Sequence, residues 1–134
     1  MGDSEYMARV YGVFLTVLTL ALVYQIGRQW FNDSHFGLFA IIVLAVNSYF
    51  FIYSLEIRPY SAVMLTSTLS MLLFRRWLVR QTWRSALVYG FMLAVLMYLH
   101  YFTAFLIAAQ VIYLLLIVRP NRKLLKQGAG ASAF

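Results

Sequence analysis

Charged side chains along this chain fall in short clusters, and the stretches between them are apolar on every side rather than along one stripe. Five such runs can be drawn, roughly Val10–Ile26, Phe36–Leu55, Pro59–Val79, Ser85–His100 and Phe102–Val118. Each is about 16–21 residues, close to what a helix needs to cross a hydrocarbon layer roughly 30 Å thick. Without a repeating polar face, these are not the amphipathic helices of a soluble core, and a helix satisfies all its backbone groups internally, as lipid demands. The pattern predicts an all-α, polytopic integral membrane protein with about five transmembrane helices over residues 1–126, followed by a flexible tail over 127–134. No repeat of fixed period is visible.

The polar punctuation predicts where helices stop. Gly27 is placed to end the first, and Asn32-Asp33-Ser34 to turn the chain and cap the second. Pro59 lacks a backbone donor and pushes Arg58 out of helical geometry, so the second helix ends near Leu55 and the third begins at Pro59.

Composition agrees with the membrane reading. Of 134 residues, 63% are hydrophobic and only 11% charged, too apolar for a soluble domain of this size to hide in one core. The net charge of +7 would suggest nucleic acid in a soluble protein. Here its placement matters more. Arg28, Arg75, Arg76, Arg80, Arg84, Arg119, Arg122, Lys123 and Lys126 all fall on one side of an alternating topology, leaving only Arg9 and Arg58 of the eleven basic residues outside it. By the positive-inside rule that side is cytoplasmic. The Glu56-Ile57-Arg58 and His100-Tyr101 turns then face outward together with the N-terminal tail. The acidic start Met1-Gly2-Asp3-Ser4-Glu5 lacks the basic region of a cleavable signal.

Several chemistries are excluded. There is no cysteine, hence no disulfide, thiolate zinc site or cysteine nucleophile. No glycine-rich loop exists to cradle a nucleotide phosphate. His35 and His100 fall on opposite sides of the predicted topology, so no shared histidine metal centre is expected, and no cofactor is assigned. Arg9 reads as a snorkelling anchor at the start of the first span.

Candidate chemistry concentrates in the outward turns. A carboxylate and a guanidinium two residues apart, between apolar runs, need partners or the membrane surface. Glu56 before a helix start is favoured by the helix dipole, and arginine offers a planar fork for phosphate or carboxylate. Two readings stay open: an interfacial ion pair with a capping role, or an acid or base beside a phosphate-binding arginine. His100 likewise is either a proton-transfer or hydrogen-bonding group, or one more member of an interfacial aromatic belt.

The stretch Asp3-Ser4-Glu5-Tyr6-Met7-Ala8-Arg9, the basic turn at Gly27-Arg28, the segment Tyr53-Ser54-Leu55-Glu56-Ile57-Arg58-Pro59-Tyr60 and Tyr98-Leu99-His100-Tyr101-Phe102-Thr103, in this order, resemble bacterial membrane glycosyltransferases of the dolichyl-phosphate-mannose protein mannosyltransferase-like group. The resemblance covers roughly residues 3–120. It implies a C-type enzyme of the bacterial inner membrane and cell envelope, taking a sugar from a polyprenyl-phosphate carrier and attaching it to an acceptor on the outer face. It further implies that Glu56 orients or deprotonates the acceptor, that Arg58 binds the lipid phosphate, and that Tyr60, His100 and Tyr101 bind substrate. Such enzymes place another acidic residue, often the principal carboxylate, in an outer loop before the stretch matched here. The sequence therefore reads as an internal piece of such an enzyme, inactive alone. The alternative is a non-enzymatic membrane accessory protein or lipid-carrier transporter. Partners in the enzyme reading are the lipid-linked donor and membrane lipids, with no nucleic acid.

Overall fold

The computed structural model describes residues 2–56 and 59–118. Among these, all regular structure is helical: α1 (Gly2–Phe31), α2 (Ser34–Val46), α3 (Ser48–Leu55), α4 (Tyr60–Arg80), α5 (Trp83–Leu99), α6 (Thr103–Tyr113) and a closing π-helical turn, Leu114–Val118. The chain divides into two compact units, Met1–Leu69 and Ser70–Phe134, with α4 running through the division. The expected tail over 127–134 and the basic cluster from Arg119 to Lys126 lie outside the described residues.

By length and composition, α1 and α4 can each cross a membrane, and α2 with α3 makes a third span if the bent pair is counted as one. α5 and α6 are shorter apolar helices. Lipid takes the place of a protein core: Phe39, Phe51, Phe91 and Phe105 are 63–73% exposed, whereas the buried hydrophobic side chains among the described residues are Leu15, Phe74 and Leu96. In water such exposure would drive association. In a bilayer it is ordinary.

In the first unit, α1 continues past Gly27 to Phe31, correcting the expected stop. Asn32 ends it instead, in a left-handed conformation with φ 53°, which a short polar side chain tolerates better than most. Asp33 then caps α2 by accepting from the His35 N–H at 2.9 Å, and Phe31 stacks on Phe36 with ring centres 4.6 Å apart. Gly27 serves packing. A β-carbon there would lie 2.6 Å from the Gly37 α-carbon, and one on Gly37 would lie 2.8 Å from the Tyr24 carbonyl oxygen. Glycine against glycine lets two backbones touch, which is how helices associate when lipid supplies no hydrophobic drive.

The second expected span is not a single helix. Asn47 ends α2 and starts α3, its side chain accepting from the N–H groups of Tyr49 at 3.0 Å and Phe50 at 3.2 Å. An asparagine side chain that satisfies two amides competes with the ongoing helical ladder. The two axes consequently meet at 73°. Elsewhere in this unit, hydroxyls are satisfied by their own helices: Thr16 donates to the Gly12 carbonyl at 2.9 Å, Thr19 to Leu15 at 2.8 Å and Thr66 to Ala62 at 2.7 Å.

The second unit is knit by a polar group at its centre. Gln110, 3% exposed, accepts from the Tyr89 hydroxyl at 2.6 Å and donates to Ser70 at 3.4 Å, joining α4, α5 and α6. Around it, Trp77 stacks on Tyr89 with centres 5.7 Å apart, and Phe74 meets both Tyr89 and Tyr113. Polar side chains that pair across apolar helices hold them in one register.

Candidate functional site

The turn singled out by the sequence begins where α3 ends. Glu56 caps that helix with extended backbone, φ −76° and ψ 137°, and is half-buried. Ile57 and Arg58 lie outside the described residues. Across the turn, the Pro59 carbonyl accepts from the Val63 N–H at 2.9 Å, so proline opens α4 as its fixed φ and missing donor favour. Tyr53, one turn before Glu56, meets Tyr60 edge-to-face with ring centres 5.0 Å apart. These two tyrosines close the base of the turn.

The turn is also seated on α1. A β-carbon on Gly12 would stand 2.7 Å from the Ser54 carbonyl oxygen and 3.6 Å from the Ser61 hydroxyl, and both serines are buried. The end of α3 and the start of α4 thus both reach the same spot on α1. The Ser54 hydroxyl is turned back to its own helix, donating to the Phe51 carbonyl at 2.6 Å. Near the start of α1, Arg9 donates to Glu5 one turn earlier, at 2.8 Å, forming an exposed ion pair.

His100 and Tyr101 belong to the second unit. His100 caps α5 with its N–H on the Leu96 carbonyl at 3.1 Å, and its Nδ1 lies 3.3 Å from the Phe102 N–H, which donates to it. That contact places the ring proton of a neutral imidazole on Nε2. Thr103 fixes the backbone beneath, donating to the carbonyls of His100 at 2.6 Å and Leu96 at 3.0 Å. The rings of His100, Tyr101 and Phe102 form one cluster: His100 lies 5.4 Å from each of the others, at 9° to Tyr101 and 24° to Phe102, and Tyr101 and Phe102 are 4.2 Å apart and tilted. Tyr101 is 69% and Phe102 54% exposed, so the cluster presents a broad aromatic face. Such rings combine an apolar surface with polar edges, which suits a membrane boundary or a ligand with both characters.

Among the described residues, no three of the types that ligate metals come together. Three features of the structure were not foreseen from the sequence. Gly12 was overlooked because a glycine's role in packing depends on a partner far along the chain. Asn47 carried a usable signal, an N-cap residue followed by serine inside an apolar run. Gln110, the lone amide in the last apolar run, was another, since a polar group at that depth needs partners.

The described helices and their apolar surfaces define a helical integral membrane protein. Residues 1–133 match the family of dolichyl-phosphate-mannose-protein mannosyltransferases, and the chain belongs to that family. Its members are membrane glycosyltransferases that use polyprenyl-phosphate-linked sugars. No curated protein and no solved structure matches the chain.

Proposed function

We propose that this chain contributes acceptor-activating and donor-binding groups to a glycosyltransferase that moves a sugar from a polyprenyl-phosphate carrier to an acceptor on the outer face of the membrane. The observation that carries the reading is the seating of the Glu56 turn. Its two flanking helices converge on Gly12, while Tyr53 and Tyr60 close its base, so a carboxylate two residues from an arginine is held by packed helix ends. Family membership supplies the substrate class.

In this reading the Glu56 carboxylate takes the proton from the acceptor hydroxyl. The acceptor oxygen then forms a bond to the anomeric carbon as the bond from that carbon to the carrier phosphate breaks. The departing phosphate gains negative charge, which the Arg58 guanidinium stabilises through paired N–H donors. Tyr60, His100 and Tyr101 bind the substrate; the last two offer a stacked face to the sugar, with His100 Nε2–H as a donor to a hydroxyl. General base catalysis of this kind contributes about 10²–10⁴-fold.

The test is sugar transfer by Glu56→Gln and Arg58→Ala in the complete protein at matched membrane level. Both variants should lose transfer. Normal transfer by both would overturn the proposal and return Glu56 and Arg58 to marking the membrane surface.

A further inference from the structure

The arginines that set the orientation of the chain also converge locally. Arg76 and Arg80, four residues apart, share one face near the end of α4. Gln81, left-handed at φ 49°, donates its N–H to the Trp77 carbonyl at 2.8 Å and turns the chain after a two-residue connection. Arg84 follows in the first turn of α5. All three line a single groove of about 420 Å³, with Leu73 and Val88 as its apolar wall.

Three guanidiniums around one space repel one another, and a like-charged pair four residues apart is destabilising on a helix. The unit that holds them offers no acid to offset this. The four acidic residues of the chain are Asp3, Glu5, Asp33 and Glu56, all before Ser70. Thr82 and Ser85, which also line the groove, are bonded to each other in the α5 cap, with the Ser85 hydroxyl on the Thr82 carbonyl at 2.7 Å and the Thr82 hydroxyl 3.0 Å from the Ser85 oxygen. The volume lies in the range of small-ligand sites, roughly 300–1,000 Å³. Its position at the basic end of a membrane-length helix is where anionic headgroups lie.

We infer that the Arg76–Arg80–Arg84 groove is a binding site for a phosphate group, with the guanidiniums holding the phosphate oxygens and Leu73 and Val88 holding the apolar part of its bearer. It lies at the end of α4 away from Pro59 and is independent of the Glu56 turn. Two sources can supply that chemistry, the phosphodiester of an anionic membrane lipid or a soluble phosphate, and one experiment separates them.

The protein is reconstituted in phosphatidylcholine nanodiscs. Retention of added phosphatidylglycerol is read by native mass spectrometry, and binding of inorganic pyrophosphate by isothermal titration, for wild type, R76Q/R80Q/R84Q, R84Q alone and the control R28Q, an arginine outside the groove. At about 1 kcal/mol per basic residue, the triple variant should bind roughly a hundredfold more weakly and R84Q roughly fivefold, with R28Q unchanged. R84Q keeps the test valid if the triple variant does not fold, because it alters one exposed side chain. A loss confined to phosphatidylglycerol assigns the site to a lipid headgroup, and a loss confined to pyrophosphate assigns it to a soluble phosphate. Equal retention of both ligands by R84Q and R28Q would overturn the inference.

Discussion

Gly12 faces the carbonyl oxygen of Ser54 so closely that a β-carbon at position 12 would stand 2.7 Å from it. The opposing atom is backbone, so it cannot swing away. Gly12→Ala should therefore move the end of α3, and with it Glu56, although alanine is the better helix former. Displacements near 1 Å at a reacting group cost about 10²-fold in rate. Transfer by G12A in the complete protein should fall by about that factor with helix content by circular dichroism unchanged. Wild-type transfer would show that the seat does not position the turn.

Arg58 and Glu56 should fail in different ways. A guanidinium that holds the carrier phosphate acts on both donor binding and the departing group, so R58A should raise the donor KM as well as lower kcat. A base acts on the acceptor, and E56Q should lower kcat by about 10²–10⁴-fold with donor KM little changed. Steady-state kinetics with varied donor separates the two. A pure KM effect in E56Q would contradict the role assigned to it.

Asn47→Leu should remove the cap of α3. Such caps contribute about 1 kcal/mol, and here the lost side chain also frees the backbone to continue as one helix. Spin labels on α2 and α3 should then lie farther apart, as measured by pulsed electron resonance. An unchanged distance would place the cause of the 73° bend in packing against α1 rather than in Asn47.

Gln110→Leu should loosen the second unit. It removes the acceptor of Tyr89 and the donor to Ser70, and hydrogen bonds between membrane helices are worth about 0.6 kcal/mol on average. A double-mutant cycle with Tyr89→Phe, read by unfolding in mixed detergent, should return a coupling of about that size. No coupling would make the contact incidental.

What the sequence made legible follows from range. Lipid-length apolar runs and proline act locally, so the all-helical membrane character and the start of α4 just after Pro59 could be read from neighbouring residues. Gly27 could not. A glycine can end a helix or admit a neighbouring backbone, and the choice is made by Gly37, ten residues away in α2. Asn47 did carry a local signal, an N-cap residue followed by serine, but one amide among apolar neighbours barely alters their average. Arg76, Arg80 and Arg84 led in sequence only to an expected membrane side, and their convergence on one groove depends on the left-handed turn at Gln81. Tyr53 and Tyr60 flank the proline turn in sequence, yet their ring contact needs both helix ends in place.

The bend at Asn47 also sets how far the chain travels. α2 has 13 residues and α3 has 8, about 20 Å and 12 Å of helix at the usual rise. Turned through 73°, α3 adds only about 4 Å along the direction of α2, so the pair advances about 24 Å where an unbroken helix would have covered about 32 Å. With α2 upright in a hydrocarbon layer of roughly 30 Å, the chain would stop several ångströms short of the far surface. That shortfall would leave the Glu56 carboxylate below the plane of the lipid phosphates, at a depth where an ionised side chain has to be partnered.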